Sequence, residues 1–283
     1  MLPASPLPPS AEIALSVAGA AVLLFGFGIA VYAIGSFLLM GRHVGTRQLG
    51  RSLRELAREL WIAGLTQPLL PLFYFLGRRM GRSQTPGHVP IVFVHGYMQN
   101  RIGFLGLARS LGRAGLGPMF GFNYPWFGTI AGNAKRLERF VESVCKETGS
   151  AAVDLVCHSM GGLVAVEMLR AEPPAERAKV RRVVTIASPH AGVTWQGPLI
   201  GFGAGSLRRG SKLLEAQASH KLTIPCLSVY STHDNVVHPK ESSSLALRGG
   251  RDIEVEGPAH LAILFSPKVA EHVAEFLREP NPV

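Results

Sequence analysis

The sequence predicts an α/β protein, a doubly wound and mostly parallel sheet with an N-terminal transmembrane helix. Three observations carry that expectation. Short β-branched runs such as IVFV, DLVC and RVVTIA recur from about Val89 onward, and fully buried parallel strands have this composition. These runs alternate with helical stretches, which places helices on both faces of one sheet. Finally, Ile13 to Met40 contains no charged side chain, and about 20 apolar residues are enough to cross a bilayer.

The elements follow in chain order. Residues 1–12 open with the Pro-rich MLPASPLPPS and read as a disordered tail. Residues 13–40 read as the transmembrane helix. No Lys or Arg precedes this run, and it is too long for the apolar core of a signal peptide. Residues 41–88 form a membrane-proximal segment and linker. Within it Leu49, Leu53, Leu56 and Leu60 step by helical spacing, while Arg47, Arg51, Arg54 and Arg58 follow the same steps two residues earlier. Two residues turn about 200° around a helix, so arginines and leucines occupy opposite faces. That pattern suits a helix lying in the membrane interface, with arginines toward anionic headgroups, and packing on the globular domain is its alternative. The run 61–77 is also apolar, but Pro68 and Pro71 interrupt it, which favours an interfacial or re-entrant segment over a second span. The stretch from Arg78 to His88 reads as a polar linker.

A globular domain is expected over residues 89–280. Its strands are expected at about Pro90–Val94, Pro118–Asn123, Val153–Cys157, Arg182–Ala187, Cys226–Tyr230 and Asp252–Glu256. Its helices are expected at about Ile102–Arg113, Ala134–Glu147, Ser159–Arg170 and Pro267–Leu277. Residues 188–222 form a long insertion between two strands and are a candidate lid.

Composition narrows the function classes. The 283 residues carry 29 Lys+Arg against 19 Asp+Glu, a net charge of +10. Many of the arginines sit beside the apolar N-terminus, where lipid explains them better than nucleic acid does, and no nucleic-acid-binding motif accompanies them. The three cysteines form no CxxC pair, which argues against a disulfide framework. No cofactor or metal is implied, and the sequence does not speak to oligomeric state.

The chemistry centres on VDLVCHSMGGLVAVEML, a strand followed by Cys157-His158-Ser159-Met160-Gly161 and then a helix. A serine on a sharp strand-to-helix turn exposes its Oγ above a sheet, and small flanking residues let strand and helix pass closely. Serine requires a base, and the base an orienting acid. Asp234 and His260 each lie in a loop after a downstream strand, in the order serine, acid, histidine. Asp154 opens the nucleophile strand and points to its wrong end. Asp252, Glu254 and Glu256 lie within a strand, while His233 and His238 flank the acid as loop histidines. His158 adjoins the serine with a packing role. Oxyanion donors are expected from the backbone N–H of Met160 and of Tyr97, the latter in the turn after the first domain strand. Asn100 suits the cap of the next helix. Trp126, Phe127, Trp195 and Leu199 are candidate walls for an apolar substrate, with closing the core as their alternative role.

The segments VHGYMQN, DLVCHSMGGLVA, TIASPHAG, YSTHDNVVHP and PAHLAILFS together resemble the α/β-hydrolase superfamily, most of all its bacterial lipase and esterase branch. The resemblance covers about residues 89–280. It implies the α/β-hydrolase fold, a Ser159–His260–Asp234 triad, an oxyanion hole after the His95-Gly96 pair, and hydrolysis of carboxylic esters, often lipids, through an acyl-enzyme. The departure is Cys157, where the usual pattern has glycine. The expected partners are membrane lipids and an ester or lipid substrate. Acyl transfer on the same fold and an inactive membrane scaffold are the alternatives. Arg42, Arg47, Arg51, Arg54 and Arg58 follow the first apolar run, and the positive-inside rule puts that flank on the cytoplasmic face; the globular domain shares that face if residues 61–77 only dip into the interface, the favoured reading, and lies opposite if they span.

Overall fold

The computed structural model describes residues 9–44, 48–80, 88–171, 179–195, 197 and 199–280. Residues 1–8 of the expected disordered tail lie outside this set, and residues 9–12 form the first turn of helix α1 (Pro9–Val44). Its 36 residues rise about 54 Å at 1.5 Å each. Among the described residues it is the one helix long and apolar enough to cross a membrane. Ile13, Val17, Leu23, Leu24 and Phe27 are exposed along its first half. Further on, Ala33, Phe37 and Met40 are buried, so the same helix first stands free and then packs on the protein.

Helix α2 (Leu49–Thr66) lies against α1. Its amphipathic pattern is the expected one, but its arginine face is turned differently. Arg51 pairs with Glu256 at 3.0 Å, and Arg58 donates to the Phe265 carbonyl at 3.2 Å. Both engage the globular domain, while Leu49 and Leu53 stay exposed. Periodicity defines two faces of a helix and leaves open which neighbour takes each.

The second apolar run does not continue as a straight helix. After α2 come a 3₁₀ turn at Gln67–Leu69 and the single turn α3 (Leu70–Phe73), with Pro68 and Pro71 at their starts. Proline suits a first helical turn and cannot extend the preceding one. The domain ties this segment down. Asn100 donates to the Leu70 carbonyl at 2.6 Å, Arg101 to Phe73 and Tyr74, and Asn123 to Phe73. Leu69, Leu72, Tyr74, Phe75 and Leu76 remain exposed.

The linker reading of 78–88 requires one correction: it contains an edge strand, β1 (Arg79–Met80), antiparallel to β3. Its charged side chains and short length hide it from a periodicity argument. Residues 81–87 of that linker lie outside the described set. The remaining strands are β2 (Ile91–Val94), β3 (Met119–Phe122), β4 (Val153–His158), β5 (Val180–Ile186), β6 (Cys226–Ser231) and β7 (Arg251–Val255). They form one sheet in the order β1-β3-β2-β4-β5-β6-β7, and every pair except β1–β3 is parallel.

Helices α4 (Leu105–Arg113), α5 (Ile130–Thr148), α6 (Met160–Ala171) and α8 (Pro267–Arg278) flank the sheet, and the insertion contributes α7 (Lys212–Ala218). Strand residues alternate between two cores, as a pleated strand requires. Val92, Val94, Leu155 and Cys157 join α5 and α6 on one side. Ile91, Phe93, Val156 and Val184 join α4 and α8 on the other. A third cluster brings Phe37 and Met40 of α1 and Ile62 and Ala63 of α2 onto Ala259, Leu261 and Ala262.

Candidate active site

Ser159 sits between β4 and α6 with φ +52°, a left-handed conformation that non-glycine residues adopt only where surroundings enforce it. Here they do. The Ser159 N–H donates to Ile186 of β5 at 2.9 Å, and a Cβ on Gly161 would lie 2.2 Å from the Val94 carbonyl oxygen. The helix therefore starts directly against the end of β2, which glycine alone permits. Cys157, at the position usually held by glycine, is wholly buried in β4.

Three side chains meet at this turn. Ser159 Oγ lies 3.0 Å from His260 Nε2. On the far side of the ring, Nδ1 lies 3.0 and 3.1 Å from the two Asp234 oxygens. Asp234 Oδ1 also accepts from the N–H groups of Val236 at 2.8 Å and Val237 at 2.7 Å. These contacts require the Nδ1–H tautomer, with Nε2 free to accept the serine proton. Burial alone would raise the Asp234 pKa, but the His260 charge, their hydrogen bond and the two backbone donors hold it below its ordinary value. Burial alone would lower His260, but Asp234 reverses this, aided by the charge of Glu59, and the imidazole sits above its ordinary value.

Three further residues brace this corner: His158, expected only to pack, and Asn235 and Glu59, which the sequence did not single out. His158 is buried, and burial pushes its pKa down to about 3. As a neutral ring it donates Nε2–H to the His260 carbonyl at 2.9 Å. Asn235 accepts the His260 N–H at 2.9 Å. Glu59 of α2 accepts from the N–H groups of Leu261 and Ala262. The adjacency of His158 to the serine and of Asn235 to Asp234 was a usable signal for two of these. Nothing in the local pattern around Glu59 marks its partner, 202 residues away.

The turn after β2 runs against the nucleophile: a Cβ on Gly96 would lie 2.8 Å from Ser159 Cβ. The Gly96–Tyr97 peptide therefore lies beside Ser159. As the first residue of α6, Met160 has an N–H with no carbonyl one turn back, a donor open to an anion. His95 braces the turn by stacking on Tyr124 with ring centroids 4.1 Å apart. Asn100 caps the following 3₁₀ turn, its side chain accepting from Ile102 N–H at 3.0 Å.

Two of the wall candidates, Trp126 and Phe127, group with Tyr97. Trp126 meets its ring edge-on at 5.2 Å and also touches Phe127. The Tyr97 hydroxyl donates to the Ile200 carbonyl and accepts from the Ile200 N–H, both at 2.7 Å. Phe202 N–H donates to the Phe127 carbonyl at 2.8 Å. Leu199 is half-buried, while Trp195, Phe127, Ile200, Phe202 and Met98 are exposed. The insertion thus lies on the turn after β2 and leaves apolar side chains exposed. The competing titratable groups are occupied elsewhere. Asp154 is paired with Arg181, Glu254 with Lys240, and Asp252 accepts from Ser244 and the Leu245 N–H. His238 lies 4.7 Å from His43 of α1, and His233 Nδ1 is 2.7 Å from Thr232 Oγ1. Among the described residues no group of acidic, histidine and cysteine side chains is arranged to hold a metal.

A profile of the α/β-hydrolase family matches residues 91–228, which contain the sheet centre and the serine turn. The matched residues are just under half of the chain, and the sheet with its flanking helices has the α/β-hydrolase fold. Solved structures share its fold. Aspergillus fumigatus lipase B is similar over 72% of this chain at 16% identity and a TM-score of 0.62, and this chain spans just over half, 55%, of that longer protein. Bacillus licheniformis lipase in its mature form matches over 69% of this chain and 95% of its own length, at 17% identity and a TM-score of 0.58. Paleococcus ferrophilus monoacylglycerol lipase matches over 67% and 95% respectively, at 16% identity and 0.52. Such identities establish the shared fold alone.

Proposed function

We propose that this α/β hydrolase is a membrane-anchored serine esterase acting on acyl lipids. The observation that carries the proposal is the continuous relay from Ser159 Oγ through His260 to Asp234, with each contact at 3.0–3.1 Å. In this reading His260 Nε2 takes the Ser159 proton as Oγ attacks the ester carbonyl. Met160 N–H and Tyr97 N–H receive the oxyanion. The resulting imidazolium is stabilised by Asp234 and gives its proton to the leaving alcohol. Water, activated by the same nitrogen, then releases the acid from the acyl-enzyme. No cofactor enters these steps.

The lipid part of the reading is supported by the apolar rim at Phe127, Trp195, Ile200 and Phe202 and by the exposed first half of α1. An apolar wall with few polar groups suits an acyl chain. In this proposal residues 13–40 anchor the protein, 89–280 carry the chemistry, and 188–222 form the lid-like cover. The test is direct. A fluorophosphonate probe should label the wild-type protein and not Ser159→Ala. In a chain-length series, medium and long acyl esters presented on vesicles should be hydrolysed faster than acetate esters. Absence of labelling would remove the hydrolase reading, and indifference to chain length and interface would remove the lipid part.

A further inference from the structure

The strongest unexplained feature of the molecule is a buried carboxylate on the membrane-proximal helix. Glu59 is 0% exposed, although α2 offers solvent-facing positions on adjacent turns. Burying a carboxylate is unfavourable unless it is well bonded, and packing alone would be served by a leucine. The bonding is specific. Leu261 N–H lies 2.9 and 3.0 Å from the two Glu59 oxygens, and Ala262 N–H lies 2.9 Å from Oε2. These donors open the 3₁₀ turn Ala262–Phe265, whose own cap residue supplies no side-chain acceptor. Helix-start N–H groups need an acceptor, and a charged one binds them more strongly than a neutral one.

The preceding N–H is held as well. Asn235 Oδ1 accepts the His260 N–H at 2.9 Å, and Asn235 Nδ2 donates to Ser36 Oγ of α1 at 2.7 Å. Three consecutive backbone N–H groups, those of His260, Leu261 and Ala262, are therefore fixed by acceptors that belong to, or are braced by, α1 and α2. The third apolar cluster closes around the same corner.

We propose that Glu59 is a positioning residue for His260, so that the α1–α2 pair is a wall of the active site as well as its tether. The proposal rests on the reading of Ser159, Asp234 and His260 as a hydrolytic triad. Glu59 sets the backbone from which the imidazole projects, and its negative charge is felt at the ring. The elements packed around this corner carry the ionisable groups Glu12, Tyr32, Arg42 and His43 of α1, Arg51, Arg54, Glu55 and Arg58 of α2, Asp234, His233 and His238 of the acid loop, and His158 of the serine turn. Of these and Glu59, the groups whose charge raises the His260 pKa are Asp234 and Glu59. Burial pushes the Glu59 pKa up to about 7, against the Leu261 and Ala262 N–H groups and the His260 charge, so its negative charge reaches the ring only above about that pH. Removing that charge favours the neutral imidazole, so the acid limb of activity should move modestly to lower pH.

The experiment uses the full-length chain in detergent micelles. Hydrolysis of a p-nitrophenyl ester and fluorophosphonate labelling of Ser159 are followed against pH for wild type, Glu59→Gln and Glu59→Ala. Misplacing a catalytic group by about 1 Å lowers rates about 100-fold, so Glu59→Ala should lose about 10- to 100-fold in kcat with KM changed less than about threefold. Glu59→Gln keeps an amide oxygen for the two N–H groups. It should lose less in kcat while its acid limb moves to lower pH, a shift that a purely structural role would not produce. The inference is overturned if Glu59→Gln keeps both the wild-type kcat and the wild-type acid limb, whether or not Glu59→Ala folds. Wild-type protein that fails to label at Ser159 would instead bring down the hydrolase reading, and this inference with it.

Discussion

Substitution of Gly96 by alanine offers a quantitative test of the oxyanion turn. The added Cβ would lie 2.8 Å from Ser159 Cβ and 3.4 Å from both Nδ1 and the carbonyl oxygen of His158. Carbon atoms rest about 3.5–4.0 Å apart, so the turn and the nucleophile must separate by about 0.7 Å or more. Neither flank yields freely. The serine backbone is bonded to Ile186, and the His95 ring is stacked on Tyr124. The displacement therefore falls on the Gly96–Tyr97 peptide, whose N–H is assigned to the oxyanion. Loss of one such donor lowers kcat by about 10²–10³, while overpacking of this kind destabilises by about 1–3 kcal/mol. Steady-state kinetics and thermal unfolding in detergent separate the two effects. Gly112→Ala is the control: its Cβ would meet only Met119 Cε at 3.9 Å. In α4 it should leave kcat unchanged and stabilise by up to about 1 kcal/mol. Wild-type kcat in Gly96→Ala would refute the placement of the oxyanion donor.

Further outcomes can be checked with the same assays. Ser159→Ala and His260→Ala should each lower kcat by about 10⁴-fold or more, and Asp234→Asn by about 10⁴, because the three act as one unit. Because His260 must be neutral to accept the serine proton and its pKa is raised, the acid limb of kcat/KM should lie above the ordinary imidazole value of about 6.5, with activity falling as pH drops through it. Tyr97→Phe removes both hydroxyl contacts with Ile200 but keeps the backbone donor, so it should change KM for long acyl esters more than kcat. Burial raises the Cys157 thiol well above its ordinary pKa, so iodoacetamide at neutral pH should leave activity intact, and rapid inactivation through Cys157 would contradict the packing of β4.

The parts of this molecule that could be read from sequence are those in which chemistry and local geometry coincide. The serine turn is marked by a β-branched strand, small flanking residues and a helix, all within VDLVCHSMGGLVA, and parallel order then directs attention to loops after later strands. What stayed hidden depends on contacts between distant segments. Strand β1 consists of two residues beside several arginines and becomes a strand only because β3 offers it an edge. The arginine face of α2 was legible as a face, yet its docking on Glu256 and Phe265 was not. Glu59 looks like one more polar residue on a charged helix until the His260 loop is folded against it. Local pattern specifies elements; the partners of a buried charge emerge only from tertiary placement.

The same long-range contacts bear on which side of the membrane the enzyme faces. A second crossing would require residues 61–77 to leave the domain. In the structure their carbonyls are held by Asn100, Arg101 and Asn123, and Pro68 and Pro71 break the helix into turns. The C-terminal half of α1 packs on Ala259, Leu261 and Ala262, so if α1 is an anchor, as proposed, its end and the candidate active site lie together. The segment that follows α1's apolar run also carries Arg42, Arg51, Arg54, Arg58, Arg78 and Arg79, and positively charged flanks are retained in the cytoplasm. We therefore expect a cytoplasmic active site. A reporter that fluoresces only in the cytoplasm, fused at Arg82 and separately at Val283, should be bright at both positions, and alkaline phosphatase at the same sites should be inactive. Phosphatase activity at Val283 combined with cytoplasmic fluorescence from a fusion at Arg58 would mean that residues 61–77 cross after all, and that the contacts to Asn100 and Arg101 do not form in the membrane.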